Sequence, residues 1–568
     1  MKSFIYHVLT GRWFMVLASS LIMAFSGSTY MFGLYSNELK TSLGYDQSTL
    51  NLISFFKDVG VNIAIVPGLI NQFSPPWVIL ASSAILNFIG YFMIWLSITA
   101  RISKPQVWLM CLYFFIGSNS QSFSNTSTLV NCVKTFPRSR GGALGLLKGY
   151  VGLSGAIFTQ FYHAFYGDNS TDFILFIGWL PSLINFVFLP IVRVLNIVPQ
   201  PKEIKVFYKL LYISLAVAVF LMALIIIQNK FNFTRVEYIV DAFMLFFLLI
   251  LPLAIVFKEE FKIWNTRTDA DAVAVADADA SQFKVVTQVP PSSTKSQSKM
   301  CCFSNILKRP NRGEDYTIFQ ALFSIDMFIL FAVTTCGVGG TLTVLDNLGQ
   351  IGNSLGYSKK SLTTFVSLVS IWNYLGRVVS GFASEFLLTK YKCPRTLVLT
   401  LVMLLSCAGH LLIALGIPNS IYFASVIIGF CFGAIWPLNF AIVSELFGLK
   451  YYSTLFSFGA AASPIGTYIL NVKVAGYFYD KEGLKQLQMK GIIREKGKEL
   501  NCLGVECYRM AFLIITAATL VGTFFSFILV LRTRKFYKTD IYNKFREEQV
   551  TASTLPGLSS TGAAKEEQ

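Results

Sequence analysis

Long apolar runs, separated by short segments rich in turn residues, recur along the whole chain. A helix needs about 20 apolar residues to cross the hydrocarbon core of a bilayer. The pattern therefore predicts an all-α membrane protein with about fourteen spans. We place them near residues 13–35, 47–71, 77–98, 106–133, 141–165, 172–196, 206–228, 236–257, 317–345, 360–388, 396–416, 420–443, 451–479 and 508–532.

Short motifs of the first half return in the second half at an offset of about 312 residues. The matching pairs are 42–45 with 354–357 (both Ser-Leu-Gly-Tyr), Gly68 with Gly381, Gln72 with Glu385, Gly117 with Gly429, and Phe136 with Phe447. Several matches at one offset are typical of transporters built from two parallel halves, in which the solute binds between the halves near the bilayer midplane.

The repeat divides the chain into two six-helix bundles with two extra transmembrane helices between them. The segment after these helices alternates Ala with Asp and then becomes rich in Pro, Ser and Thr, a composition that cannot bury a core. The predicted units are an N-terminal bundle at 1–197, two inserted helices at 198–257, a disordered cytoplasmic linker at 258–315, a C-terminal bundle at 316–533 and a cytoplasmic tail at 534–568.

Composition supports this class and excludes others. The chain is 54% hydrophobic and only 14% charged, too apolar for a soluble protein of 568 residues. Its net charge of +17 reflects Lys and Arg in loops beside the spans, and no basic stripe with interleaved aromatics indicates nucleic-acid binding. We find no metal-ligand cluster and no phosphate-binding loop, so the sequence predicts neither a cofactor nor an enzyme.

The helix at 141–165 stands out because it combines a glycine stripe with a charge. Its glycines lie at Gly141, Gly145, Gly149, Gly152 and Gly155, at spacings that place them near one face, where another backbone can approach closely. Lys148 lies within the same helix, and a charge in hydrocarbon costs about 2.5–3.5 kcal/mol on insertion scales. The sequence therefore predicts a close-packing helix that lines a solute path.

Other charged and polar residues within spans are candidates for solute binding or coupling. Lys57 and Asp58 are adjacent, and we expect Asp58 to pair with Lys148, either as part of the solute site or as a structural ion pair. Asp326 is expected to carry a coupling proton or to pair with Arg377. The neutral candidates Asn125, Tyr150, Asn373 and Asn439 are equally consistent with hydrogen bonds between helices.

Loop charges predict the topology. Lys and Arg fall on one side of the membrane if both termini are cytoplasmic. The sequons at Asn169 and Asn232 then face the opposite side, where glycans are added. Cys502 and Cys507 lie in a loop on that oxidising side, so we predict a disulfide between them.

Two stretches carry a family resemblance. Arg377, Gly381, Glu385 and Arg395, with Lys390 and Lys392 between them, resemble the gating loop motif of the major facilitator superfamily, although Gln72 replaces the acid in the first half. GRWFMVLASS, SLGYDQSTLNLISFFKDVG and FPRSRGGALGLLKGYVGLSGAI resemble the plant nodulin-like family, including its nuclear-fusion-defective type. The resemblance implies a membrane transporter-like protein and names no solute.

The leading functional hypothesis is a secondary transporter for a small polar or anionic organic solute, with protons as an optional coupling partner. The alternative is a membrane receptor or scaffold that keeps the fold but has lost transport, because the first-half motif is weakened. Plasma membrane and vacuolar membrane fit the sequence equally well.

Overall fold

The computed structural model of the protein describes residues 2–27, 29, 32, 35, 39, 42, 43, 45, 47–166, 170–193, 203–231, 233–280, 310–357, 359–489, 491 and 502–539. Within these ranges every regular element is a helix. The first half contains α1 (Lys2–Thr10), α2 (Arg12–Ser26), α3 (Gln47–Asn62), α4 (Ile65–Phe73), α5 (Pro76–Ile98), α6 (Val107–Thr135), α7 (Arg140–Phe165) and α8 (Ser170–Phe188).

The inserted segment and the second half follow in chain order. The inserted helices are α9 (Glu203–Lys230), α10 (Arg235–Ile250) and α11 (Pro252–Ala280). The second half contains α12 (Ile318–Leu322), α13 (Ile325–Ser354), α14 (Lys359–Tyr391), α15 (Arg395–Leu415), α16 (Ser420–Phe447), α17 (Tyr452–Ala460), α18 (Ala462–Thr467), a π-helical segment (Tyr468–Gly476), α19 (Tyr477–Met489) and α20 (Glu506–Lys538).

Eleven described helical stretches are long and apolar enough to cross a bilayer, and α1 with α2, bent by 53°, brings the number to twelve. Helices α6 and α14 have the required length but are more polar. Their polar side chains face other helices: the Asn119 amide, for example, donates to the carbonyl oxygens of Gly60 and Ile63 at 2.8 and 3.0 Å. Such residues are satisfied within protein, so hydropathy alone does not detect these two helices.

The region predicted as a disordered linker is partly helical. Helix α11 continues to Ala280, and residues 310–315 pack at the end of the second bundle, where Asp315 accepts from the backbone N–H groups of Leu449 and Lys450 at 2.9 and 3.0 Å. Residues 281–309 lie outside the described part of the chain. At 258–280 the structure therefore differs from the prediction, because the apolar helix extends into the Ala/Asp repeat.

The inserted helices are anchored to the start of the first bundle. Arg12 and Glu203, both about 2% exposed, form an ion pair at 2.7 Å. The backbone N–H of Trp13 donates to Oε1 of Glu260 at 3.0 Å. Helix α9 also contacts the second bundle, because Ser214 Oγ and Tyr374 Oη lie 2.9 Å apart. The inserted helices thus lie over the seam between the bundles.

Two helix pairs form much of that seam, and α7 also contacts α16. Helix α7 packs along α14, and α4 packs against α17. We call the end of the bundles where α7 begins at Arg140 and α15 begins at Arg395 the basic end. Both helix pairs meet at the basic end.

Candidate functional site

A cavity of about 440 Å³ lies between the two bundles, within the size range of small-molecule sites. Its charged lining residues are Lys57, Asp58 and Lys148 from the first half, and Asp346 and Arg377 from the second. Aromatic rings form much of its apolar wall: Phe32, Phe432, Trp436, Phe440 and Phe456. Since both halves contribute, any relative movement of the bundles reshapes the cavity.

Lys148 places its ammonium group against aromatic rings of the opposite bundle. Nζ lies 5.1 Å from the ring centre of Phe440, 5.8 Å from that of Trp436 and 6.0 Å from that of Phe456. The residue is only 7% exposed, and no described carboxylate lies within ion-pair distance of it. Ring faces attract a desolvated cation by about 2 kcal/mol. Rings of the second bundle therefore hold the ammonium group of the first bundle in place.

The predicted pairing of Asp58 with Lys148 is wrong. Lys57 Nζ instead lies 2.8 Å from Oδ1 of its neighbour Asp58. Both side chains line the cavity, opposite Asp346 of α13, whose Oδ2 accepts from the Asn471 amide at 3.0 Å. The amide of Asn347 donates to the Asn471 side chain at 2.7 Å. The carboxylates of Asp58 and Asp346, one from each bundle, thus line the same cavity as Lys57.

Asn373 and Arg377 form part of the cavity wall on α14. Nε of Arg377 donates to Oδ1 of Asn373 at 2.8 Å, and one of its terminal nitrogens donates to the carbonyl oxygen of Lys148 at 3.0 Å. The guanidinium therefore ties α14 to α7 beside the Lys148 side chain. Asn125 also lines the cavity, and its Oδ1 is buried without a hydrogen-bond partner in the described structure.

Glu385 and Arg395 of the gating loop motif belong to a buried charge network at the basic end. Arg395 donates to Glu385 Oε2, to Glu445 Oε1 and to Ser384 Oγ, each at 2.6 Å. Oε2 of Glu385 also accepts from the backbone N–H of Gly141 at 2.9 Å. Gly141 belongs to the first turn of α7, whose N–H groups carry positive partial charge. A second-half carboxylate therefore holds the start of a first-half helix.

The matching contact on the other side of the seam uses neutral groups. The amide of Asn71 donates to Ser453 Oγ at 3.1 Å, and Ser453 Oγ donates to the carbonyl oxygen of Gly68 at 3.0 Å. Gln72 donates to Thr454 Oγ1. The repeat positions Gln72 and Glu385 thus make equivalent contacts with α17 and α7. The missing acid in the first half changes the chemistry of the contact but not its position.

The glycine stripe of α7 lies directly on α14. A Cβ atom at Gly381 would lie 2.6 Å from both the carbonyl oxygen of Gly141 and the Cα of Gly145. A Cβ atom at Gly149 would lie 2.8 Å from a methyl group of Val378. Backbone therefore meets backbone across the seam, and residues with side chains would hold the bundles apart.

Three sequence candidates lie away from the cavity lining. Tyr150 is buried, and the amide of Asn439 donates to Thr334. Asp326 does not pair with Arg377: its oxygens lie 2.8 Å from Arg312 and 2.6 Å from Arg532, near the basic end. The Arg312 contact was not predicted, because Arg312 lies in the segment expected to be a linker. Asp346 lines the cavity and was also missed, since no motif surrounds it.

The predicted cysteine pair forms a disulfide, with the two sulfur atoms 2.01 Å apart. The loop around it is tied down by backbone contacts, including that of the Gly504 N–H with the Ser354 carbonyl at 2.8 Å. The sequon residues Asn169 and Asn232 lie outside the described residues.

Comparisons with known proteins agree with this architecture. A Nodulin-like family model matches residues 12–257, and a model of the NFD4 C-terminal domain matches residues 314–539. Protein NUCLEAR FUSION DEFECTIVE 4 from Arabidopsis thaliana is 23% identical over 554 residues, covering 96% of this chain and 91% of that protein. Probable transporter MCH1 from Yarrowia lipolytica is 24% identical over 39% of this chain and 46% of that protein.

Solved structures give the fold. The proton:xylose symporter XylE, a major facilitator superfamily protein, superposes with a TM-score of 0.51 at 12% identity, covering 93% of this chain and 96% of that one. A double Trp mutant of XylE gives 0.53 at 12% identity, with 91% and 95% covered. The chain is therefore an integral membrane protein with the major facilitator fold, and it contains a Nodulin-like domain at residues 12–257 and an NFD4 C-terminal domain at residues 314–539.

Proposed function

We propose that this nodulin-like protein is a secondary transporter that carries a small polar organic anion by alternating access between its two bundles. The observation that carries the proposal is the Lys148 ammonium, which lines a cavity between the bundles without an anionic partner among the described residues. A buried cation is costly unless something neutralises it. An anionic solute would supply the missing charge.

The seam supports alternating access. Contacts close the basic end where α7 meets α14 and where α4 meets α17, and Arg140 of α7 donates to the carbonyl oxygen of Ser444 in α16 at 2.9 Å. Rigid rocking of one bundle against the other would break these contacts and expose the cavity to the other side. We also propose fourteen spans, which are the twelve apolar stretches together with α6 and α14. The basic end then faces the cytoplasm, and the protein lies in the plasma membrane or the vacuolar membrane.

Coupling to protons is the finer part of the proposal, and we assign it to Asp58 and Asp346. Lys57 pairs with Asp58, whereas Asp346 accepts a hydrogen bond from a neutral amide, so Asp346 is the carboxylate that a proton would neutralise when the bundles bring it near Asp58. Asp58 and Asp346 belong to different bundles. Their separation therefore changes when the bundles rock, which links the proton to the transport cycle. The neutral amides of Asn347 and Asn471 complete the surroundings of Asp346.

Lys148→Met should abolish stabilisation by anions. At about 100 times its dissociation constant, a ligand adds about 2.7 kcal/mol to the stability of the wild type, whereas the variant lacks the charge that holds the anion. The measurement is a thermal-stability screen of purified protein against carboxylates, sulfonates and phosphate esters, with neutral sugars as comparison compounds.

Lys450→Met is the matched control for this screen. Lys450 also lies over an aromatic ring, that of Tyr451 at 5.3 Å, but it is exposed and does not line the cavity. Its replacement should leave the anion response unchanged. If no compound stabilises the wild type, the receptor or scaffold alternative is favoured, and equal responses of wild type and Lys148→Met would contradict the assigned role of Lys148.

Asp346→Asn should impair proton-driven accumulation of the solute but leave the exchange of solute across the membrane intact. The amide imitates a permanently protonated carboxyl, so uptake driven by a pH gradient should fall at least about tenfold while solute counterflow persists. Both are measured in proteoliposomes with the anion identified by the screen. Glu482→Gln, at a partly exposed carboxylate that pairs with the exposed Lys485 and does not line the cavity, serves as the control. Loss of counterflow together with uptake would argue against a coupling role.

A further inference from the structure

Two side-chain oxygens of the cavity are buried without a hydrogen-bond partner among the described residues, and the Lys148 ammonium lines the same cavity. The two oxygens are Oδ1 of Asn125 and Oγ of Ser463. Asn125 is 8% exposed and Ser463 fully buried, so neither group is bathed in bulk solvent. Buried polar atoms are nearly always hydrogen-bonded in proteins, and an unpaired one is costly. Together with the Lys148 ammonium, these two oxygens therefore indicate the chemistry of a ligand that the cavity can bind.

The three groups lie at similar depth. Lys148 is eight residues beyond the start of α7, and Asn125 is ten residues before the end of α6, at the same end of the bundle. At 1.5 Å per helical residue, these positions are about 12 and 15 Å from the basic end. Ser463 lies in α18, which follows α17 after one residue. It is eleven residues beyond the start of α17 at the basic end, or about 16 Å from that end. Since all three also line the same cavity of about 440 Å³, a single small molecule can contact them.

We infer that the solute is a hydroxylated carboxylate, an inference that rests on the proposed transport of an organic anion. Its carboxylate binds the Lys148 ammonium, and its hydroxyl groups donate to Asn125 Oδ1 and exchange hydrogen bonds with Ser463 Oγ. Trp436 and Phe440 pack against its carbon skeleton. An alkyl carboxylate of the same length would leave the Asn125 and Ser463 groups unpaired. Sites built to bind a hydroxyl discriminate strongly against analogues that lack it.

Matched pairs of probes test the inference. Gluconate with hexanoate, and glycerate with propionate, share chain length and carboxylate and differ in their hydroxyl groups. Binding to the purified full-length chain is measured by ligand-dependent thermal stabilisation. We expect the hydroxylated member of at least one pair to bind wild type about tenfold or more tightly than its partner, as one or two hydrogen bonds would give.

Asn125→Leu should remove most of this preference while Lys148 still holds the carboxylate. Asn439→Leu is the matched control, because Asn439 also has an unpartnered Oδ1 but lies outside the cavity lining, and it should keep the preference. Ser463→Ala provides a second, smaller change at the same site, with a partial loss of preference expected. If the fold does not tolerate Asn125→Leu, the Ser463→Ala result decides.

The outcomes separate this inference from the proposed function. Equal, Lys148-dependent stabilisation by both members of each pair would overturn the hydroxylated class and leave anion transport standing. Stabilisation by sulfonates or phosphate esters, but by neither member of any pair, would overturn the carboxylate. If no organic anion stabilises the protein, the proposed function fails as well.

Discussion

Arg395→Met is expected to lower the free energy of unfolding by about 3–5 kcal/mol, because it removes the positive charge that two buried carboxylates share. Arg395 is fully buried and lies 2.6 Å from both Glu385 and Glu445, which are themselves buried. Its removal leaves two carboxylates facing each other in a medium that solvates them poorly. Chemical unfolding of the purified protein in detergent, followed by circular dichroism, measures the change.

Arg509→Met is the control for Arg395→Met. Arg509 pairs with Glu506 at 2.8 Å, but the two side chains are 51% and 60% exposed. Exposed pairs contribute about 0–1 kcal/mol, so the control should change stability little. Equal effects of the two replacements would mean that water reaches the Arg395 network and that its burial is not what makes it important.

The residues around Arg395 show what a sequence motif predicts and what it leaves open. Arg395, Glu385 and Gly381 were identified because they resemble the gating loop motif of the major facilitator superfamily. The contribution of Glu445 was not predicted, since it lies at the end of another helix, 50 residues away in sequence. Motif spacing identifies neighbours along one loop, whereas the partner that completes a buried network depends on how separate helices pack.

For the cavity too, the internal repeat predicts which positions are equivalent, whereas helix packing determines which side chains line it. The repeat correctly paired Gln72 with Glu385, because equivalent positions of two similar bundles meet equivalent surfaces. Asp346 was missed, because the direction of one acid on a long apolar helix depends on the rotation of that helix. The Lys57–Asp58 pair was also missed: neighbouring Cβ atoms diverge on a helix, but the flexible lysine chain curls back to reach the carboxylate.

Gly381→Val should prevent closure of the basic end. A Cβ atom at this position would lie 2.6 Å from backbone atoms of Gly141 and Gly145, which cannot move aside as a flexible side chain would. Overpacking of this kind costs about 1–3 kcal/mol, and here only the closed state bears the cost. The ratio of closed to open molecules should therefore fall about 5- to 150-fold.

A cysteine pair on the other side of the seam reports this change. Asn71 and Ser453 are in hydrogen-bond contact at 3.1 Å, so Asn71→Cys with Ser453→Cys should cross-link readily on oxidation when the basic end is closed. Adding Gly381→Val to this pair should slow cross-linking. Gly349→Val is the control, because a Cβ atom at Gly349 meets nothing within 4 Å.

The position of the reporter makes the experiment a test of rigid rocking. Gly381 lies where α14 meets α7, whereas the cysteines join α4 to α17, so Gly381→Val has no direct contact with them. If each bundle moves as one body, a wedge at one contact must open the other, and cross-linking falls. If cross-linking is unchanged while transport is lost, the two contacts open independently, and alternating access in this protein proceeds by bending of individual helices.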